Sequence, residues 1–201
     1  APFVEFFQRH GKFALTILLF IALFRLSDIA MGIMANPFYL DMGYSKTDIA
    51  NVAKIFGFFM SIAGSAVCGV LVVKWGIFRP LLIGAIAVAV TNLFFAVLSM
   101  MEPRIEYLAV VISADNISGG FAATAFVAYL SSLTNRAYTA TQYALFSSLM
   151  TLPGKFISGF SGVVVDSFGY FEFFVFAATI GLPAIFLVLI LMRHSRKVDD
   201  Y

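Results

Sequence analysis

"FALTILLFIALFRLSDIAMGIMA", residues 13–35, decides how the chain folds. The run is apolar almost throughout. A helix rises about 1.5 Å per residue, so the run is long enough to be most of a helix crossing a hydrocarbon core of about 30 Å. Arg25 and Asp28 nevertheless stand three residues apart inside it. A plain anchor has no use for two ionisable groups where water is absent, so the stretch reads as a membrane helix that carries buried chemistry.

The remainder of the 201 residues follows suit. The chain is 61% hydrophobic and 12% charged, whereas a soluble domain is roughly 45–50% apolar and about 25% charged. Too little polar surface is left to cover a soluble globule, so the chain reads as a polytopic membrane protein. A net charge of +2 with scattered basic residues gives nucleic acid no footprint. Cys68 is the single cysteine, lies in an apolar run and reads as packing. The opening "APFVEFFQRHGKF" lacks the parts of a signal peptide. It starts without an initiator methionine and reads as the end of a cytoplasmic linker within a longer protein.

Six apolar runs are long enough to span, near 13–39, 47–73, 79–101, 105–132, 139–165 and 170–192. They form one bundle over 13–192, after a linker end at 1–12 and before a tail at 193–201. Turn chemistry separates them: "DMGYSKTD", "KWGIFRP", "MEPRIE", "LTNRAY" and "DSFGY". Ser45 followed by Asp48 predicts an N-cap for the second helix. If the runs alternate in direction, Arg9, Lys12, Lys74, Arg79, Arg136, Arg193, Arg196 and Lys197 fall on one side. Only Lys46 and Arg104 face the other, among acidic residues. The positive-inside rule then places both ends of the segment in the cytoplasm.

The chain also repeats itself. "GVLVVKWGIFRPLL" from Gly69 and "GVVVDSFGYFEFF" from Gly162 each leave a span, place a glycine seven residues later and re-enter an apolar run. The offset, 162 − 69 = 93, lays the first three spans (about 13–101) on the last three (about 105–192). A unit with an odd number of crossings must be inverted in its copy, and inverted three-plus-three repeats build each half of major facilitator transporters. The two turns resemble the turn signature of that superfamily. Gly69, Leu71, Lys74, Gly76 and Leu81 match in the first, with Val73 in place of aspartate. Gly162, Asp166 and Gly169 match in the second, with Ser167 in place of a basic residue. The fold class expected is therefore an all-α membrane protein, six spans as two inverted repeats, one half of a major facilitator fold.

Arg25, Asp28, Lys54, Asp115 and Lys155 lie well inside the spans. Each costs about 2.5–3.5 kcal/mol at a helix centre on insertion scales. They occur only in the first, second, fourth and fifth runs, as if those helices line a cavity and the third and sixth face lipid. Polar stripes run with them: Arg25, Asp28, Gly32 and Asn36; Asn51, Lys54, Ser61 and Ser65; Asp115, Ser118, Gly119 and Ala122; and a long one from Thr141 through Ser148 and Lys155 to Gly162. Four such stripes facing one another would make a wet groove. Arg25 and Asp28 can pair within one turn, which alone would serve structure. A carboxyl group in a low-dielectric site also gains proton affinity, so Asp28 and Asp115 are candidate proton carriers. Arg25, Lys54 and Lys155 outnumber the two acids and suit an anionic substrate, although each lysine can instead serve an interhelical pair, and Lys54 can snorkel. Pro37 is expected to end the first helix. Pro153 is expected to kink the fifth, as a hinge or as a static bend. Trp75 sits at interface level and needs no role.

Taken together, "FRLSDIAMG", "YSKTDIANVAKIFG", "ADNISGGFAATAFVAYLSSLTNR" and "YTATQYALFSSL" resemble the AmpG-type muropeptide permeases, a major facilitator branch of Gram-negative inner membranes, over nearly the whole chain and as its C-terminal half. Acetyl-CoA transporters are a more distant likeness. The resemblance implies import of anhydro-muropeptides with inward proton flow, in peptidoglycan recycling. Arg25, Asp28, Lys54, Asp115, Asn116 and Gln142 fall where that family has like residues. It also implies a second six-helix half as partner, expected as the N-terminal half of the same protein, with a second copy of this chain as the alternative; no nucleic acid, cofactor or metal is expected. Other readings are a carrier of another organic anion such as an acyl-CoA, and a channel or structural membrane subunit. An intramembrane enzyme lacks support, because His10 and His194 only flank the bundle and no nucleophile–base or metal-ligand constellation is visible.

Overall fold

The computed structural model describes residues 2–135 and 138–199. Arg136, counted above among the basic residues, lies outside them. Among the described residues seven helical segments follow one another: α1 (Pro2–His10), α2 (Phe13–Asp41), α3 (Lys46–Trp75), α4 (Phe78–Leu98), α5 (Ile105–Leu133), α6 (Thr139–Phe168) and α7 (Tyr170–Ser195). The last six are long and apolar enough to cross a membrane and satisfy their backbone groups internally, as hydrocarbon requires. Ser45 caps α3 as expected, accepting the Asp48 N–H at 3.1 Å while its hydroxyl donates to the Asp48 carboxylate at 2.6 Å.

Both ends of the bundle's chain meet at one rim. The ring of Phe13, opening α2, stacks on His194, near the close of α7, with centroids 3.5 Å apart. An even number of crossings demands this, and it gathers Lys12, Lys74, Arg79 and Arg193 toward the same end.

The packing follows the repeat. α3 lies along α5, and its counterpart α6 lies along α2. α4 packs on α5, its counterpart α7 packs on α2, and α4 and α7 touch each other. Each three-helix unit thus lends its second span to the first span of the other. Gly76 and Gly169, 93 residues apart, adopt the same left-handed turn, with φ +75° and ψ −179° in one and φ +94° and ψ 173° in the other. Gly69 and Gly162, the first glycines of the two matched turns, remain helical with open space where a Cβ would sit, so neither serves a close helix approach. The close approach occurs elsewhere. A Cβ on Gly64 of α3 would strike the backbone of Ile117, and one on Gly120 of α5 would strike that of Ser61. Ser65 donates across the same crossing to the Gly120 carbonyl at 3.1 Å. The small and hydroxyl residues of α3 therefore serve van der Waals contact with α5, where the sequence suggested a groove lining.

One further expectation changes: α2 continues through Pro37 to Asp41, with its only interruption at Arg25 (φ −95°, ψ 2°). α6 also continues through Pro153, and it breaks at Gly159–Phe160. Within these six helices the third and sixth spans are more buried than the second and fifth. The apolar windows of α4 and α7 are 56% and 44% buried within the bundle, against 17% for both α3 and α6. α4 is wedged among α2, α5 and α7, so its small residues face protein: a Cβ on Gly84 would strike Ala122 of α5.

The apolar interior forms two clusters. One, toward the basic rim, contains Phe20, Phe24, Phe126 and Val188, with the rings of Phe24 and Phe126 stacked at 4.5 Å. The other, toward the opposite end, contains Phe38, Phe95, Ile112 and Phe174, with Phe38 edge-on to Phe174 at 4.9 Å. Burial of this apolar surface within the helix bundle leaves only a thin polar layer between them.

Candidate functional site

The polar layer is built from four helices. α2 supplies Arg25, Ser27 and Asp28, α4 supplies Thr91 and Asn92, α5 supplies Asp115 and Ser118, and α7 supplies the carbonyl of Ala177. At the break in α2 the guanidinium of Arg25 is ion-paired with the Asp28 carboxylate, both side chains about a quarter exposed (29% and 25%). Two residues three apart on a helix lie on one face, so the pair needs no help from another element. The Arg25 Nε is nonetheless buried without a partner.

Asp115 is held differently. No basic group pairs with it among the described residues. The Thr91 hydroxyl lies 3.5 Å from its Oδ1 and 3.2 Å from the Ser118 hydroxyl, which itself donates to the Asp115 carbonyl at 2.9 Å. Asp28 lies on the other side of α4, where Asn92 meets Ser27, the residue before it. On the other flank of α4, the Asn92 amide donates to Ser27 Oγ at 2.7 Å, and that hydroxyl donates to the Ala177 carbonyl at 2.6 Å. A cleft beside the pair, lined by Arg25, Ser27, Asp28, Ala89, Ala122 and Gly181, has room for about one water molecule.

Arg25, Asp28 and Asp115 are therefore brought together. The remaining positions expected from the sequence go elsewhere. Lys54 and Lys155 are exposed, because α3 and α6 are the outlying helices. Lys54 also lies in a π-helical stretch, Ala50–Phe56, a local widening that turns side chains away from the regular face. Asn116 sits in the α3–α5 crossing, accepting from Ser61 at 3.0 Å and donating to the Ile112 carbonyl at 3.0 Å. The groove expected between four stripes is thus not enclosed by these six helices, and two of its four sides face outward.

Gln142 is buried at the basic rim. Its amide donates to Glu5 at 2.7 Å and its carbonyl accepts the Asn135 N–H at 2.8 Å. Asn135 also donates to Glu5 at 2.9 Å, Phe6 packs edge-on against Phe146 at 5.3 Å, and Arg9 donates to the Leu133 carbonyl that closes α5. α1 is tied in this way to the ends of α5 and α6. Hydrogen bonds from Asn135 and Gln142, aided by Arg9 and His10, hold the Glu5 carboxyl below its usual range. Burial, aided by Arg9, lowers His10.

Lys74 and Asp166 are exposed beside the glycine turns, and Trp75 is half exposed at the same level. Among the described residues no group of three or more His, Cys, Asp or Glu side chains is placed to hold a metal ion. Sequence reasoning overlooked Thr91 and Asn92. Both are buried, at 4% and 0% exposure, and the signal was present: a Thr-Asn pair in the middle of an otherwise apolar span.

No protein-family model matches the chain. A Rickettsia felis protein named "Putative transporter AmpG 4" is 38% identical over 198 residues, covering 98% of this chain and 47% of that protein. The Rickettsia bellii protein with the same style of name, AmpG 1, is 34% identical over 189 residues, 94% of this chain and 45% of its own length. A Haemophilus influenzae protein whose name states no activity is 36% identical over 210 residues, 99% of this chain and 49% of its own. The chain spans about half the length of these relatives. It is a multi-pass membrane segment, all-α with six spans, and the AmpG likeness read from its sequence extends along nearly all of it.

Proposed function

We propose that this segment works as one six-helix half of an AmpG-type carrier, importing anhydro-muropeptides across the inner membrane of a Gram-negative bacterium by proton symport, with both ends of the segment in the cytoplasm. The observation that carries the proposal is the pair of carboxyl groups, Asp28 and Asp115, held in one polar layer between two apolar clusters. Intramembrane carboxyl groups are costly and are kept for proton or ion traffic. The exposed faces of α3 and α6, with Lys54 and Lys155 on them, support a second half as the partner that closes the cavity. Such a cavity would present cations to a cargo carrying peptide carboxylates. Relatives about twice the length of this chain are consistent with that partner.

The test is uptake of labelled anhydro-muropeptide by the full-length protein in membrane vesicles, with and without an inward proton gradient. Gradient-dependent accumulation is expected. At least one of Asp28→Asn and Asp115→Asn is expected to lose it tenfold or more while counterflow exchange persists. Accumulation by both variants at the wild-type level would remove the carboxyl groups from the mechanism. Uptake without trans-stimulation would indicate a channel.

A further inference from the structure

α4 carries no ionisable residue in its middle, yet it is the helix that separates the two carboxyl groups. Its consecutive residues Thr91 and Asn92 point to opposite flanks. Thr91 reaches Asp115 on α5, and Asn92 reaches Ser27, the neighbour of Asp28 on α2. We propose that Thr91 and Asn92 are the positioning residues that make the two carboxyl sites act as one unit. This rests on the proton-coupled reading above and extends it to a helix that carries no charge there.

Three observations carry it. First, the Thr91 hydroxyl has one proton and competing acceptors. It donates to the Val88 carbonyl at 3.0 Å while Asp115 Oδ1 lies 3.5 Å away. An ionised Asp115 draws that proton more strongly than a neutral one, because hydrogen bonds to charged groups are stronger. The hydroxyl therefore has one position for each state of the carboxyl group. Second, the amide of Asn92 is only half used. Its Nδ2 donates to Ser27, but its Oδ1 is fully buried with no partner. A stranded acceptor costs about 1–3 kcal/mol, and Arg25 Nε is a stranded buried donor in the same layer. A rearrangement at the α2 break that brought the two together would supply what each lacks. Third, among the described residues no other ionisable side chain hydrogen-bonds or ion-pairs with Thr91, Asn92 or Asp115. The titratable groups from the packed elements are Arg25, Asp28, Tyr39 and Asp41 on α2, Glu106, Tyr107, Asp115 and Tyr129 on α5, and Lys46, Asp48, Lys54, Cys68 and Lys74 on α3. α4 and α7 carry theirs near their ends, at Arg79, Tyr170, Glu172, Arg193 and His194.

The experiment uses the full-length protein in vesicles with labelled anhydro-muropeptide as probe, measuring gradient-driven uptake from pH 5 to 8 beside counterflow exchange. Thr91→Val keeps the shape and removes the hydroxyl. It is expected to displace the pH midpoint of driven uptake by about one unit, the size of one hydrogen bond to a charged group, with exchange within about twofold of wild type. Thr91→Ser is expected to restore the wild-type midpoint. Asn92→Leu is expected to lower the ratio of driven uptake to exchange at least fivefold. Should the valine variant not accumulate in the membrane, Thr91→Cys, a weaker donor of similar size, is read on the same pH axis. Unmoved midpoints with an unmoved ratio, or equal losses of uptake and exchange, would overturn the proposal and leave the coupled reading standing. Wild-type uptake indifferent to the gradient would overturn both.

Discussion

The first spans of the two repeats, α2 and α5, occupy equivalent places and solve the same problem differently. Each carries a carboxyl group into the polar layer. α2 breaks at Arg25 and neutralises Asp28 with that residue's own cation, one turn earlier in the helix. α5 runs unbroken through Ile105–Leu133, and the side-chain group that faces the Asp115 carboxylate is a hydroxyl, that of Thr91 on α4, at 3.5 Å. The turns after the second spans, by contrast, are nearly identical in backbone. Symmetry has been kept where the repeat needs a corner and abandoned where it holds charge. The lesson is that one carboxyl group is compensated by an ion and the other by dipoles, so the two should respond differently when their surroundings are altered.

The largest expected effect breaks that contrast directly. Arg25→Ala leaves Asp28 without its cation. Removing one member of a buried pair costs about 3–5 kcal/mol, and partial exposure reduces this to about 2 kcal/mol. Thermal unfolding in detergent should fall clearly for Arg25→Ala and recover in the double variant Arg25→Ala/Asp28→Asn. Asp115→Asn, which has no cation to strand, should melt close to wild type. Equal losses for Arg25→Ala and Asp115→Asn would erase the distinction between the two helices.

A smaller effect tests the shared corner. Gly76→Ala and Gly169→Ala each force a side chain onto a positive-φ, extended-ψ backbone that is essentially reserved for glycine, at about 1–2 kcal/mol apiece. Gly69→Ala and Gly162→Ala should be tolerated, since their backbones are helical and the space is open. Matching losses in the two repeats are the mark of one device used twice, and a large loss at one turn alone would deny it.

The smallest concerns α1, which has no counterpart in the second repeat. His10 is lowered from 6.5 and so is neutral in the docked state; acidification from pH 6.5 downward charges it more readily undocked, and docking weakens. Glu5 is lowered from 4.5, so its contribution is complete above pH 4.5 and fades as pH falls through its docked value. Both trends point the same way. Hydrogen exchange of residues 5–12 should quicken on going from pH 7.5 to 5.5, after correction for the intrinsic rate, and Gln142→Ala should quicken it at both. Flat corrected rates would show that His10 does not bear on the docking.

Much of this architecture was legible beforehand. The spans follow from hydropathy, the two ends meeting at one rim follows from an even span number, and Gly76 and Gly169 are marked by their spacing. What was not legible has a common cause. Residue type reveals that a side chain is expensive to bury, but not which neighbour relieves the cost. Ser61, Ser65 and Asn116 looked like the lining of a groove and instead fasten α3 to α5. Lys54 and Lys155 looked enclosed by the six helices and instead lie exposed on α3 and α6. Thr91 and Asn92 vanish in an average over an apolar span, though they sit where four helices meet. Pro37 was expected to stop a helix that continues through it, whereas Arg25, an ordinary helix former, marks the break.

The stack of Phe13 on His194 has a topological consequence. Because the bundle's opening and closing helices finish side by side, their ends can be spliced with a short linker and the chain reopened at the Gly43 turn. The resulting permutant would begin with α3 and finish with α2, with every surface between the six spans intact and the contacts of α1 given up. Synthesis would then deliver the second span first, so the order in which the helices leave the ribosome becomes separable from the shape they reach.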